Sequence, residues 1–95
     1  MNRPKLIKEW MIHSLRLMIL IYLNNNEKVY ISSLRRKLKI SMIGTWKNLK
    51  YLKEKELIDS SFKFKNKRKK FIYLTDKGKL IAGKLNELDL LLSSI

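Results

Sequence analysis

Lysine and arginine crowd three short stretches of this chain, and its chemistry lies in that clustering rather than in any catalytic set. Arg35, Arg36 and Lys37 are consecutive, Lys47 and Lys50 stand three apart, and six of the eight residues from Lys63 to Lys70 are basic. A block of like charge repels itself in water and is stabilised by a run of phosphates. Over all 95 residues, 22 Lys and Arg oppose eight Asp and Glu, a net charge of +14. A surface this positive attracts polyanions, nucleic acid ahead of an anionic membrane. With no Cys, disulfides and thiolate metal sites are excluded, and the one histidine, His13, cannot build a zinc site or an acid–base pair alone. Without a nucleophile–base pair, metal cluster or phosphate loop, the expectation is a binding protein with no cofactor, not an enzyme.

Binding residues need a frame, and the periodicity supplies one. Leu34 and Leu38 share a face at i, i+4, which predicts a short helix over 33–39 capped by Ser32 or Ser33. Ile40 fills the space under the joint. Ser41 is a natural N-cap for a second helix over 42–55, whose inner face carries Thr45, Leu49 and Leu52. Met42, Ile43, Trp46, Lys47 and Lys50 then fall on the outer face. A helix with an apolar back and a basic front, angled against a short supporting helix, is the helix-turn-helix plan.

Upstream, Pro4 suits a first helical turn, and nothing interrupts a helix over 5–24. Its stripe of Trp10, Met11, Leu15, Met18 and Tyr22 widens from residue 17 until it is apolar nearly all round. Such a helix is buried on several sides, either in this chain's own core or partly against a second subunit. The apolar run Leu17–Leu23 is too short to span a bilayer. It is followed by Asn24, Asn25 and Asn26 rather than by a small-residue cleavage site, so a cytoplasmic, nucleoid-associated protein without membrane contact is expected. Lys28 to Ile31 is a β-prone stub.

Downstream, Phe62 and Phe64 alternate with Lys63 and Lys65, and Phe71 to Leu74 alternates again, which predicts a two-stranded hairpin over 60–74 with a basic tip at Asn66, Lys67 and Arg68. Thr75 caps a last helix over 76–93, with Asp76 favourable in its first turn. Ile81, Leu85, Leu88, Leu92 and Ile95 recur at spacings of four and three, a heptad seam. Two heptads are too few for a free coiled coil. The seam packs on the first helix, or on a second copy as a dimer interface. Residues 1–95 form one α+β, mostly α domain: a winged helix-turn-helix with a two-stranded wing and a C-terminal dimerisation helix.

The stretch LRRKLKISMIGTWKNLKYLKEKELID resembles the helix-turn-helix signature of MarR-like and related small archaeal and archaeal-virus regulators, and FIYLTDKGKLIAGKL resembles their wing strand, Leu-Thr-x-x-Gly motif and final helix. The resemblance runs from Val29 to about Leu85. Two positions depart from it: Lys39 stands in the joint and Glu56 after the second helix, both where glycine is common. The resemblance implies binding of double-stranded DNA by a homodimeric transcriptional regulator. The second helix would enter the major groove and the wing the flanking minor groove or backbone.

The residues support the same partner independently. Arg35, Arg36 and Lys37 on the supporting helix, Lys47 and Lys50 on the recognition helix, and Lys65, Lys67, Arg68 and Lys69 on the wing are phosphate-binding candidates. Met42, Ile43, Thr45 or Trp46, and Lys47 are placed to meet base edges, with Ser41 a further DNA-binding candidate at the start of the helix: Lys47 can donate to guanine, and Met42, Ile43 or Trp46 can meet a thymine methyl. Trp46 either makes that contact or half-covers the core edge, and the pattern favours the core for Thr45. Asn48 is the one base-reading amide near this front. Two other functions stay open. One is an architectural DNA-binding protein of low sequence preference, favoured by the lysine-rich front; the other is a winged-helix module for RNA or protein. Nothing in the sequence marks a pocket for a small effector.

Overall fold

The computed structural model describes residues 14–63 and 66–95, with the side chains of 62, 63 and 66–69 left aside. The elements run α1 (Ser14–Asn24), β1 (Val29–Tyr30), α2 (Ile31–Leu38), α3 (Met42–Glu54), β2 (Ile58–Lys63), β3 (Asn66–Leu74) and α4 (Asp76–Ser93). The expected start of the first helix, residues 5–13, lies outside the described residues.

The three strands form one antiparallel sheet in the order β1-β3-β2. Strands β2 and β3 are the wing hairpin, in register from Ile58 opposite Leu74 to Phe62 opposite Lys70, with an irregularity before Lys63. The stub β1 adds a third strand through Val29 opposite Ile72 and Tyr30 opposite Phe71. The wing strand begins at Ile58, two residues ahead of the expected 60, because Ile58 is itself a core residue and pairs at the base of the hairpin.

Alternation in β3 decides which face is inside. Ile72 and Leu74 are buried, while Phe71 and Tyr73 lie half-exposed on the other side. Ile72 and Leu74 join Ile19, Leu20 and Leu23 of α1, Leu34 of α2, Leu49 and Leu52 of α3, and Ala82 of α4 in one core. Fully burying each such Leu or Ile contributes on the order of 1.5–3 kcal/mol.

Both helices of the joint end in left-handed residues that are not glycine. Lys39 has φ 54° and Glu56 φ 61°. After α2, the amide of Ile40 donates to the Arg35 carbonyl at 3.1 Å; after α3, Glu56 donates to Lys53 at 2.9 Å and Leu57 to Leu52 at 3.0 Å. These closing bonds satisfy carbonyls at the helix ends and turn Ile40 and Leu57 into the core. Helix α2 starts at Ile31, not at 33, and stops at Leu38, with Tyr30 before it and no side-chain cap. Neither Ser32 nor Ser33 is outside the helix to cap it: β1 hands the chain directly to α2. Helix α3 closes at Glu54, one residue short of the expected 55.

Helix α4 is anchored at its start to the end of α3. The Thr75 amide donates to the Leu57 carbonyl at 3.1 Å. The Thr75 hydroxyl donates to the Glu56 carbonyl at 2.6 Å and accepts from the Gly78 amide at 3.0 Å. Gly78 is required by this junction, since a Cβ there would sit 1.9 Å from the Leu57 carbonyl oxygen. Helix α4 then packs along α1, and from Glu87 to Ile95 every residue is exposed.

Candidate nucleic-acid interface

Helix α3 separates its two faces cleanly. Thr45, Leu49 and Leu52 face the core. On the opposite side Met42, Ile43 and Trp46 are 56%, 69% and 52% exposed, and Lys47, Lys50 and Lys53 are exposed beside them. The helix begins where Ser41 requires it to: the Ser41 hydroxyl accepts from the Gly44 amide at 3.0 Å. That bond makes Ser41 the N-cap its position in the sequence predicts. The Thr45 hydroxyl donates back to the Ser41 carbonyl at 2.7 Å, which satisfies it inside the core.

Asn48 does not stand at the front. It is buried, and both ends of its amide are engaged: Nδ2 donates to the Gly44 carbonyl at 2.7 Å and Oδ1 accepts from Arg16 Nε at 3.2 Å. The Arg16 guanidinium also lies 3.5 Å from the centre of the Tyr51 ring. Arg16 thus holds α3 to α1 through one charge-assisted hydrogen bond and one cation–π contact. The sequence carried no signal for this pairing, which spans 32 residues of chain.

The other basic candidates surround the same side. On α2, Arg36 and Lys37 are exposed and Arg35 is half-buried; among the described residues the Arg35 Nε has no hydrogen-bond partner. On the wing, Lys67, Arg68 and Lys69 belong to the β3 backbone, but their side chains, like Lys65 altogether, lie outside the described residues. Two lysines not singled out as phosphate-binding candidates also belong to this surface, Lys70 from the basic block and Lys53. Lys70 Nζ is 6.0 Å from the Trp46 ring centre, linking wing to helix, and Lys53 Nζ donates to Ser60 Oγ at 3.2 Å. Lys53 follows Lys50 by three residues, a helical spacing that marks it in hindsight. Between helix and wing lies a groove of about 390 Å³, floored by Leu49, Ile58 and Ile72 and rimmed by Trp46, Lys50 and Lys70.

The seam on α4 divides in two. Ile81 and Leu85 pack against the chain's own core. Leu88 and Leu92 are 52% and 61% exposed, and Ile95 is almost fully so. Among the described residues no helix is long and apolar enough to cross a membrane.

Similarity to known proteins follows the same outline. A mutant of Lactococcus lactis ZitR superposes with a TM-score of 0.76 at 32% identity, over 85% of this chain and 56% of that one. The transcriptional regulator SlyA superposes with a TM-score of 0.78 at 21% identity, over 90% of this chain and 63% of that one. Streptococcus pneumoniae FabT in complex with DNA superposes with a TM-score of 0.77 at 18% identity, over 83% of this chain and 55% of that one. These neighbours are MarR-family regulators, and the chain spans just over half the length of the ZitR and FabT structures it matches. No curated protein matches the chain. The model of the winged helix DNA-binding domain matches residues 15–89, most of the length, and the chain belongs to that family.

Proposed function

We propose that this chain is a homodimeric, cytoplasmic transcriptional regulator that binds double-stranded DNA, with α3 in the major groove and the basic wing on the flanking minor groove or backbone. The observation that carries this reading is the outer face of α3. Met42, Ile43, Trp46, Lys47 and Lys50 are presented together on a helix whose other face is locked in the core. A free-standing lysine-rich helix would need only solvent; one with three large apolar residues exposed at its first turns needs a partner. Major-groove base edges and the flanking phosphates meet both requirements. The neighbour FabT, with a similar fold, is seen in complex with DNA.

Dimerisation is supported by the last two turns of α4. Leu88, Leu90, Leu91 and Leu92 are all exposed there, as is Ile95 just after the helix, beyond the part that packs on this chain's own core. A second copy would cover them and set two α3 helices about one helical turn of DNA apart, so the site read would be an inverted repeat.

One observation favours a second reading, an architectural protein of low sequence preference. With Asn48 buried, no bidentate amide remains on the α3 front. Competition binding decides between the two. Duplexes enriched from a random pool should form inverted repeats and bind much more tightly than random duplex. Equal affinity for both, with steep salt dependence, would favour the architectural role, and preference for single-stranded or folded RNA would overturn both.

A further inference from the structure

We infer that the α3 front reads thymine C5-methyl groups, so that Met42, Ile43 and Trp46 select A·T-containing major groove by apolar contact rather than by hydrogen bonds. The inference rests on the duplex-DNA reading above and names what that duplex must contain.

The argument is one of elimination and fit. Adenine is read in the major groove by paired contacts from Asn or Gln, and guanine by Arg or Lys. On α3 the one amide is Asn48, spent on Gly44 and Arg16 inside the fold, and there is no Arg. The Ser41 hydroxyl already accepts from the Gly44 amide, which leaves it a single hydrogen to donate rather than a paired contact. Apart from Glu54 at its last residue, what α3 presents outward is three apolar side chains and three lysines. Lysine binds phosphate as a point charge and distinguishes bases weakly unless it is held in place. The only base group that an apolar side chain prefers over its alternatives is the thymine methyl.

The spacing fits as well. Met42, Ile43 and Trp46 lie within one turn of the same helix face, and Met42 to Trp46 spans roughly 6 Å along the axis. That is about two base-pair steps at 3.4 Å each, so two or three neighbouring methyls fall within reach. Trp46 is steadied from the side: its ring lies near Lys70 Nζ and rims the groove floored by Leu49 and Ile72. A large ring supported along one edge offers a firm apolar surface at small entropic cost.

The test compares two polymers that differ by one methyl per base pair: alternating poly(dA-dT) duplex and alternating poly(dA-dU) duplex. Phosphate charge is identical, so the electrostatic contribution is shared. The full chain should bind the thymine polymer about three- to four-fold more tightly for each methyl covered, and about ten-fold or more overall. In a variant carrying Met42→Ala, Ile43→Ala and Trp46→Ala the preference should fall to near one, with an unchanged far-ultraviolet circular dichroism spectrum as the sign of an intact fold. Lys50→Ala should weaken both polymers by the same factor. Equal binding of the two polymers by the unaltered chain would overturn the inference and leave duplex binding standing. A preference that survives in the triple variant would overturn the assignment to these three residues. Failure to bind either polymer at moderate salt would overturn the duplex reading beneath it.

Discussion

Arg16 on α1 donates from Nε to Oδ1 of Asn48 on α3, at 3.2 Å, and its guanidinium stacks on Tyr51 one turn further along. Arg16 therefore ties the recognition helix to α1, beside the core contacts of Leu49 and Leu52. Replacing Arg16 with Ala should lower the free energy of unfolding by about 2 kcal/mol, combining a hydrogen bond to a charged group with a cation–π contact. Arg16→Lys should recover little, since an ammonium cannot stack and donate in one plane. Urea unfolding of the two variants checks this. Asn48→Ala should cost about 1 kcal/mol and leave the order of preferred duplexes unchanged.

The two glycines of α4 should respond to the same substitution with opposite sign. Gly78→Ala drives a Cβ into the Leu57 carbonyl and separates the start of α4 from the end of α3, at a cost of about 3 kcal/mol or more. Gly83 has nothing within 4 Å of a built Cβ, so Gly83→Ala should stabilise the helix by about 0.5–1 kcal/mol. Thermal unfolding of both variants at one protein concentration gives the two signs.

Lys39 and Glu56 hold left-handed conformations that cost a side chain about 1–2 kcal/mol. Glycine avoids that cost and returns part of it as unfolded-chain entropy, about 0.5–1 kcal/mol. Lys39→Gly and Glu56→Gly should each raise stability by about 0.5–1 kcal/mol, and together by the sum, because the two ends are separate caps. A double variant no more stable than the parent would show that the side chains compensate elsewhere.

What the sequence revealed and what it hid divide along local and long-range physics. The inner face of α3 was legible because Leu49 and Leu52 obey a helical period that any core must satisfy. The caps at Ser41 and Thr75 were legible because their oxygens act three residues away. Asn48 was misread as a front residue: it stands three residues after Thr45 and four before Leu52, on the buried side of α3, but no local pattern announces its Arg16 partner on another helix. The start of α2 was misplaced because Ser32 and Ser33 look like caps, while the true boundary is set by Tyr30 pairing with Phe71 in the sheet. The α4 seam has one period but two surroundings, for spacing cannot say that Ile81 and Leu85 are met by this chain's own core while Leu88 and Leu92 are not.

That division gives a test of assembly. Leu88 and Leu92 are exposed in the single chain, so replacing both with Gln should leave the fold intact and shift the mass in sedimentation from dimer to monomer. Ile81→Gln should instead destabilise the chain, by about 2 kcal/mol, because its side chain packs against the core. A Leu88→Gln, Leu92→Gln variant that sediments unchanged as a dimer would place the interface elsewhere.

The central claim, that one duplex is held by the α3 front and the wing together, is tested most directly by the salt dependence of duplex affinity. Binding of a 30-base-pair duplex, an arbitrary length of about three helical turns, is measured by fluorescence anisotropy across a salt series. It is repeated after Lys47→Ala with Lys50→Ala, and after Lys67→Ala, Arg68→Ala and Lys69→Ala. The logarithm of affinity should fall linearly with the logarithm of salt, and each set should flatten the slope by about one for every charge removed per bound chain. An affinity independent of salt, or a slope that neither set changes, would contradict the account.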